Sequence, residues 1–208
     1  MYTIPKSVES VINEISKIPG IGPKSATRIA YHFLRSTQRD AEKLAEALKE
    51  MSVKVKNCSI CYNLCEDDIC SICNSPLRDN SKLCVIEEPL DLASFENSGI
   101  YNGKYFILGG VISPADGISA SDIRIAELKK HIVSLIEVNE TLEVIIATNP
   151  SLEGEATAIY ISDMIKSISS SKIKITRLAM GLPTGADLEF ADSLTLKRAF
   201  DGRGVYNS

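Results

Sequence analysis

The chain has 208 residues and a net charge of −4, and its composition, 44% hydrophobic and 24% charged, excludes a largely disordered protein. No apolar run approaches the roughly 20 residues of a membrane span, and the N-terminus lacks the basic start and apolar core of a secretory signal. We therefore expect a cytoplasmic protein with no membrane partner, in which the six cysteines are metal ligands or buried thiols rather than disulfides.

Charge is unevenly distributed along the chain. Residues 1–57 carry ten Lys or Arg and six Asp or Glu, whereas residues 58–208 carry thirteen and twenty-one. A basic N-terminal segment followed by an acidic remainder is typical of a protein that contacts nucleic-acid phosphates through that one segment. An imbalance of this size can also arise by chance, so it supports such a module only together with a motif.

The basic segment predicts three helices. Apolar residues at helical spacing follow Ser7, which we expect to cap the first helix. Pro19 and Gly20 end that helix, and Pro23 suits the first turn of the second. A third helix is predicted from about Asp40 to Val55.

The connection IPGIGPK predicts a close approach to a DNA strand. With no side chain on Gly20 or Gly22, the backbone from Gly20 through Ile21 to Gly22 can approach a phosphate, which the free amides opening the second helix would face. Lys24 and Arg28, four residues apart on one helix face, would add charge along the same strand. Such contacts do not read base edges, so binding is expected to be independent of sequence. The alternative is an ordinary helical hairpin whose glycines serve the turn alone.

The segment CSICYNLCEDDICSIC contains two CxxC pairs, Cys58 with Cys61 and Cys70 with Cys73. Two such knuckles can supply the four thiolates of a tetrahedral zinc site. A site closed by four thiolates has no open position, so we expect one structural Zn²⁺ per chain rather than a catalytic metal. Cys65 lies between the knuckles and could replace a ligand, although the paired spacing favours a spare thiol.

The pattern changes after Pro76 to one that predicts an α/β domain. Four apolar runs are predicted as buried strands: LCVIE (83–87), YFILGG (105–110), EVIIAT (143–148) and KITRLA (174–179). Helical patterns lie between them, near residues 91–96, 121–137 and 153–168. This alternation predicts a mostly parallel sheet with helices on both faces, whose ligands bind at the carboxyl ends of the strands. Those ends carry Glu87 and Glu88 after the first strand and Asn149 to Glu155 after the third.

The segments IEEPLD and ATNPSLEGEATA resemble the two signature motifs of the Toprim fold of primases and topoisomerases. By that resemblance Glu87 occupies the position of the catalytic glutamate, while Asn149 and Ser151 occupy those of two magnesium-binding aspartates. Asn and Ser bring no negative charge, so we expect severely weakened magnesium binding. Glu153 and Glu155 could compensate, or they could simply complement the positive end of the following helix.

In this order, the hairpin, the four-cysteine segment and the Toprim motifs resemble the bacterial RecR family of recombination mediators, with further matches at SPADGI (113–118) and GLPTGADLEFADSLTLKRAFDGR (181–203). The resemblance implies four segments: a helix-hairpin-helix DNA-binding region (1–56), a four-cysteine zinc finger (57–76), a Toprim domain (80–177) and a C-terminal segment in oligomer contacts (178–208).

The family resemblance also implies a function without turnover. A ring of dimers assembled into a tetramer would bind single- and double-stranded DNA, and with RecO and RecF it would load RecA onto single-stranded DNA coated with single-strand-binding protein. Lys24, Arg28 and the hairpin amides would contact DNA. An acidic face with Glu87, Glu153 and Glu155 would dock the mediator partner, unless it is only a solvated surface.

The competing interpretation is a magnesium-dependent Toprim nuclease or a topoisomerase-like enzyme. Such chemistry needs carboxylates where Asn149 and Ser151 stand, and these two residues therefore disfavour it. A topoisomerase would also need an activated tyrosine, and neither Tyr160 nor Tyr206 has a neighbouring base in the sequence.

Overall fold

A computed structural model describes residues 4–168, 171–185 and 187–204. The chain divides into an N-terminal unit that ends at Val55 and a C-terminal unit that begins at Lys56. Among the residues described, no helix has both the length and the apolarity that crossing a bilayer requires.

Three helices form the N-terminal unit: α1 (Lys6–Ser16), α2 (Pro23–Arg35) and α3 (Gln38–Lys54). The prediction that Ser7 caps α1 is wrong, because the helix begins directly after Pro5, whose φ of −56° already suits helical entry. Ala26 and Ala30 are the buried residues of α2. Their small side chains allow α1 and α2 to pack closely on either side of the hairpin.

Two short strands and a short helix form a small finger, residues 56–75. Strand β1 (Lys56–Asn57) pairs antiparallel with β2 (Leu64–Cys65), and α4 (Ser71–Asn74) follows. The turn between the strands places Tyr62 at a φ of 64°, a left-handed conformation that is uncommon outside glycine. The sequence does not predict these elements, because strands of two residues and a helix of four are too short to show a periodic pattern of apolar residues.

Four parallel strands form the main sheet: β3 (Asp79–Ile86), β4 (Gly103–Ile107), β5 (Leu142–Ile146) and β6 (Ile173–Arg177). Their order is β4-β3-β5-β6, with every neighbouring pair parallel. The α-helices described after the finger are α5 (Pro89–Ser98), α6 (Ile125–Val138), α7 (Leu152–Lys166) and α8 (Ser193–Asp201). The predicted α/β fold with a parallel sheet flanked by helices is confirmed.

The two faces of the sheet are covered differently. Alternate residues of a strand point to opposite faces, and Leu83 and Val85 of β3 accordingly lie in a core completed by α6 and α7. The intervening Cys84 and Ile86 lie in a second core, shared with α5 and with the cysteines of the finger. The finger is therefore a structural layer of the C-terminal unit, and the backbone amide of Ile107 donates to the Cys61 carbonyl at 2.9 Å.

Candidate functional site

The hairpin between α1 and α2 is held by one backbone bond, in which the amide of Ile21 donates to the carbonyl of Ile18 at 3.0 Å. Gly20 has a φ of 82°, which explains glycine there on conformational grounds alone. Gly22 has an extended backbone, and a Cβ added to it would meet no described heavy atom within 4 Å. Its lack of a side chain is therefore not required by packing in this structure, which leaves room for a ligand to approach.

The start of α2 has the properties of an anion-binding surface. Gly22 is its N-cap and offers no side-chain acceptor, and no acidic residue lies in the first turn. The first-turn amides are therefore available to an outside acceptor. Lys24 and Arg28 are exposed on the same helix. The structure thus brings the predicted DNA contacts together at one helix start, and we refer to Gly20 through Arg28 as the hairpin surface.

The four predicted zinc ligands converge. The Sγ atoms of Cys58, Cys61, Cys70 and Cys73 all lie within 4.8 Å of one another, and those of Cys61 and Cys70 are 3.6 Å apart. Zn–S bonds of about 2.3 Å in a tetrahedron place sulfurs about 3.8 Å apart. The arrangement therefore fits a closed four-thiolate zinc site, with three ligands buried and Cys73 half-buried.

Backbone amides donate hydrogen bonds to two of these sulfurs, which stabilises their thiolate forms. The amide of Cys70 donates to Cys58 Sγ at 3.3 Å, and that of Cys73 donates to Cys70 Sγ at 3.5 Å. Burial opposes ionisation of Cys58, but amide donors outweigh it and lower the pKa of its thiol to about 7. Burial instead raises the pKa of Cys70 to about 11, and a hydrogen bond to Cys73 together with burial raises the pKa of Cys61. A dication offsets the repulsion among four clustered thiolates.

The remaining two cysteines lie outside this group. Cys65 Sγ donates to the carbonyl of Asp67 at 2.9 Å, as expected for a spare thiol rather than a ligand. Cys84 is buried in β3, and burial raises the pKa of its thiol to about 12. A buried thiol with so high a pKa is unreactive at neutral pH.

A second cluster lies where β3 and β5 end, and we call Glu87, Asn149 and Ser151 the strand-end site. Glu87 is only 8% exposed. Its Oε1 accepts from the backbone amide of Asn149 at 2.7 Å, and its Oε2 accepts from Asn149 Nδ2 at 2.6 Å. Both carboxylate oxygens are therefore engaged by one residue, which occupies a position where a Toprim enzyme needs an acid.

Ser151 also has an internal role in the strand-end site. It is the N-cap of α7, and its Oγ accepts from the amide of Gly154 at 3.0 Å. A Cβ on Gly154 would lie 2.1 Å from the carbonyl oxygen of Asn149 and 3.0 Å from Glu87 Oε1. The start of α7 therefore packs directly against the Asn149 backbone and the Glu87 carboxylate, with no room for a side chain at residue 154.

The other carboxylates near this edge are placed in different ways. Glu155 forms ion pairs with Arg177 Nη1 at 2.7 Å and with Arg198 Nη2 of α8 at 3.5 Å. Glu153 is half-buried in the first turn of α7. Glu88 caps α5 in a reciprocal arrangement with Asp91. Two of the three predicted docking carboxylates, Glu87 and Glu155, thus have partners within the chain.

Comparisons with known proteins identify the family of this chain. Four family descriptions match in sequence order: the RecR helix-hairpin-helix over residues 8–52, the RecR four-cysteine zinc finger domain over 55–75, the Toprim domain over 81–179 and the RecR C-terminal region over 181–203. The protein from Rubrobacter xylanophilus named "Recombination protein RecR" is 46% identical over 98% of both chains. One of that name from a Nocardioides species is 49% identical over 94% of this chain and 95% of its own.

The chain belongs to the RecR family. It is accordingly a protein of DNA recombination and repair, and its four converging cysteines form the family's zinc finger with one structural zinc ion. The individual DNA contacts and docking residues are not fixed by family membership and stay predictions.

One lysine joins the RecR zinc finger to the sheet. Lys104 Nζ of β4 donates to the carbonyls of Ile72, Cys73 and Ser75 at 2.8, 2.9 and 3.0 Å. These carbonyls lie at the end of α4, where a short helix leaves acceptors unpaired, although the Ile72 carbonyl also accepts from the Ser75 amide at 3.4 Å. The sequence gives no sign of this contact, because Lys104 lies about 30 residues away in an apolar strand.

We expect Lys104→Met to lower the free energy of unfolding by about 1–3 kcal/mol, because three carbonyls lose their donor while the aliphatic stem is kept. Zinc content should remain one ion per chain. Lys82→Met is the matched control on the neighbouring strand β3, since Lys82 forms only a partly exposed pair with Asp79. Equal stability of the two variants in denaturant titrations would show that the three-carbonyl contact is unimportant.

Proposed function

We propose that this RecR-family chain is a non-enzymatic recombination mediator of the cytoplasm. It binds single- and double-stranded DNA without sequence preference and acts with RecO and RecF. Together they load RecA onto single-stranded DNA coated with single-strand-binding protein. The family membership supports the pathway, and the geometry of the two sites supports binding rather than turnover.

One observation carries the proposal: both carboxylate oxygens of Glu87 accept hydrogen bonds from Asn149. A general acid or base must present an atom to the substrate, and a magnesium site needs oxygen ligands directed at the ion. Glu87 is instead oriented inward, and Ser151 is used to cap α7. The strand-end site therefore favours a structural role in holding β3 and β5 together.

The competing enzyme interpretation gains no support from Tyr160. Tyr160 is 48% exposed in the middle of α7. Tyr206 lies outside the described residues. A magnesium-dependent nuclease would have to use Glu153 without the help of Glu87 or Glu155, both of which have internal partners.

DNA contact is assigned to the hairpin surface. The amides of Gly20 and Gly22 approach the phosphates, whereas the Ile21 amide already donates to Ile18 within the hairpin. Lys24 and Arg28 neutralise neighbouring phosphates. These groups recognise the backbone alone, so affinity is expected to fall with salt and to vary little with sequence.

Partner contacts are assigned to the carboxylates near the strand ends and to the C-terminal segment. Among the predicted docking residues Glu153 is the strongest candidate, because Glu87 and Glu155 are engaged within the chain. The C-terminal segment exposes large apolar side chains, including Phe190 at 79% and Phe200 at 67%. Such exposure in residues 178–204 supports a dimer and tetramer contact there.

We expect Lys24→Ala with Arg28→Ala to weaken binding to single- and double-stranded DNA at least tenfold at moderate salt. The slope of log affinity against log salt should also flatten, by up to about 0.9 for each duplex phosphate that the protein no longer neutralises. Fluorescence anisotropy of labelled DNA at several salt concentrations measures both quantities.

The matched control for this test is Lys43→Ala with Lys49→Ala, which removes the same charge from exposed positions of α3 in the same unit. Circular dichroism should show all proteins equally folded. If the hairpin variant and the control bind alike, DNA does not contact the hairpin surface.

A further inference from the structure

The basic surface of α2 continues beyond the hairpin surface. Arg28 is followed at helical spacing by Tyr31, His32 and Arg35, and no acidic residue occurs in the helix PKSATRIAYHFLR. Arg28, His32 and Arg35 are exposed and Tyr31 is half-buried. From Lys24 to Arg35 this face is about 16 Å long at about 1.5 Å per residue. We call Arg28, Tyr31, His32 and Arg35 the α2 stripe.

The α2 stripe borders a concave surface. An open groove of about 500 Å³ is lined by Thr27 and the four residues of the stripe. A second groove of about 390 Å³ is lined by Ser25, Arg28, Ile29, His32 and Phe33. Arg28 and His32 line both grooves. The His32 ring packs edge-on against Phe33, with centroids 5.4 Å apart, which helps to fix its orientation.

This combination of groups fits one class of ligand. Guanidinium groups neutralise phosphates, and planar rings offer a face on which unpaired bases stack. In a duplex the bases already stack on one another, so their faces are not available to Tyr31 or His32. A purely electrostatic surface would need the arginines but would gain nothing from the two rings between them.

We propose that the α2 stripe is a stacking site for bases of single-stranded DNA, adjoining the backbone contacts of the hairpin surface. The inference rests on the proposed function, because it extends the same DNA path. It adds a source of preference for single strands, which backbone contacts alone do not provide.

The absence of tryptophan from the chain allows a direct test. His32→Trp introduces the chain's one indole, which can be excited apart from the seven tyrosines, at an exposed position of the stripe. Titration with oligothymidylate should quench its emission strongly, since thymine stacks on the indole, whereas a duplex of equal length should leave it nearly unchanged. Equal quenching by both DNAs, or by neither, would overturn the stacking proposal.

Affinity measurements separate this inference from the proposed function. Tyr31→Leu with His32→Leu should weaken oligothymidylate binding on the order of tenfold or more, because stacking on both rings is lost. Duplex binding should stay within about twofold. Tyr31→Phe retains the ring and should bind normally, and Arg39→Gln on α3 controls for general charge.

The two proposals can fail independently in these assays. If the Lys24 and Arg28 variant loses DNA binding while the leucine variant binds oligothymidylate normally, only the stacking site is wrong. If the leucine variant weakens single-strand and duplex binding equally, the rings have no role specific to bases. If the Lys24 and Arg28 variant binds normally, the hairpin assignment fails whatever the leucine variant does.

Discussion

Removal of zinc is expected to unfold the finger and to expose one face of the parallel sheet. The ligands Cys58, Cys61 and Cys70 are not peripheral, because they belong to the same buried cluster as Cys84 and Ile86 of β3. Without the ion, clustered thiolates repel one another, and neutral thiols forfeit the metal bonds that hold the knuckles together. Because structural zinc commonly contributes about 10 kcal/mol or more to small domains, a loss of several kcal/mol is expected here.

Cys61→Ser tests the same point without a chelator, since it removes one buried thiolate. We expect less than one zinc ion per chain and a large fall in thermal stability. Cys65→Ser is the matched control, because the Cys65 thiol donates to the finger's own backbone at Asp67 and lies outside the ligand set. It should retain zinc and melt like the parent protein. A zinc-free protein, verified by metal analysis, that melts at the parent temperature would contradict the structural role of the ion.

Asn149→Asp is expected to destabilise the strand-end site and to create a need for a divalent cation. The substitution removes the Nδ2 donor of Glu87 and places a second carboxylate against it. Glu87 loses a donor and is repelled by the new carboxylate, although solvent screens the repulsion because residue 149 is exposed. Together these effects should lower the free energy of unfolding by about 2–3 kcal/mol. Mg²⁺ or Mn²⁺ should restore part of that stability, because paired carboxylates are their preferred ligands.

Thermal unfolding of the zinc-loaded protein in magnesium-free buffer and in millimolar magnesium, with no chelator that would remove the zinc, measures this effect. Asn149→Ser is the matched control, since it loses the donor without adding charge and should be destabilised less and show no response to magnesium. The parent protein should also melt at the same temperature in both solutions. If magnesium stabilises the parent, or if Asn149→Asp is as stable as the parent in magnesium-free buffer, the hydrogen bonds of Asn149 do not close this site.

Local patterns in the sequence were sufficient to predict the ligand set and the fold class. The CxxC spacing predicts the four cysteines because their chemistry is set within the short segment 58–73, and the structure brings them together. Alternation of apolar strand runs with helical patterns likewise predicts the parallel sheet, since each run is long enough to be read. The start of α1 was misplaced because proline and serine both mark helix entry.

Long-range side-chain contacts could not be predicted in the same way. Asn149 donates to a carboxylate 62 residues earlier, and Arg177 lies 22 residues from its partner Glu155. A sequence pattern shows that an aspartate is missing but not what its replacement does. The sequence places Glu153 and Glu155 alike at the start of one helix, and only the folded chain shows that Glu155 and Glu87 have partners within the chain.

We propose that this RecR-family chain binds DNA without changing it. Supercoiled plasmid incubated with the protein in magnesium or manganese, then resolved by gel before and after protein removal, tests both parts at once. We predict retarded plasmid before removal and unaltered supercoiled plasmid afterwards. Nicked, linear or relaxed product that disappears with Glu87→Gln would show catalysis at the strand-end site and contradict the claim.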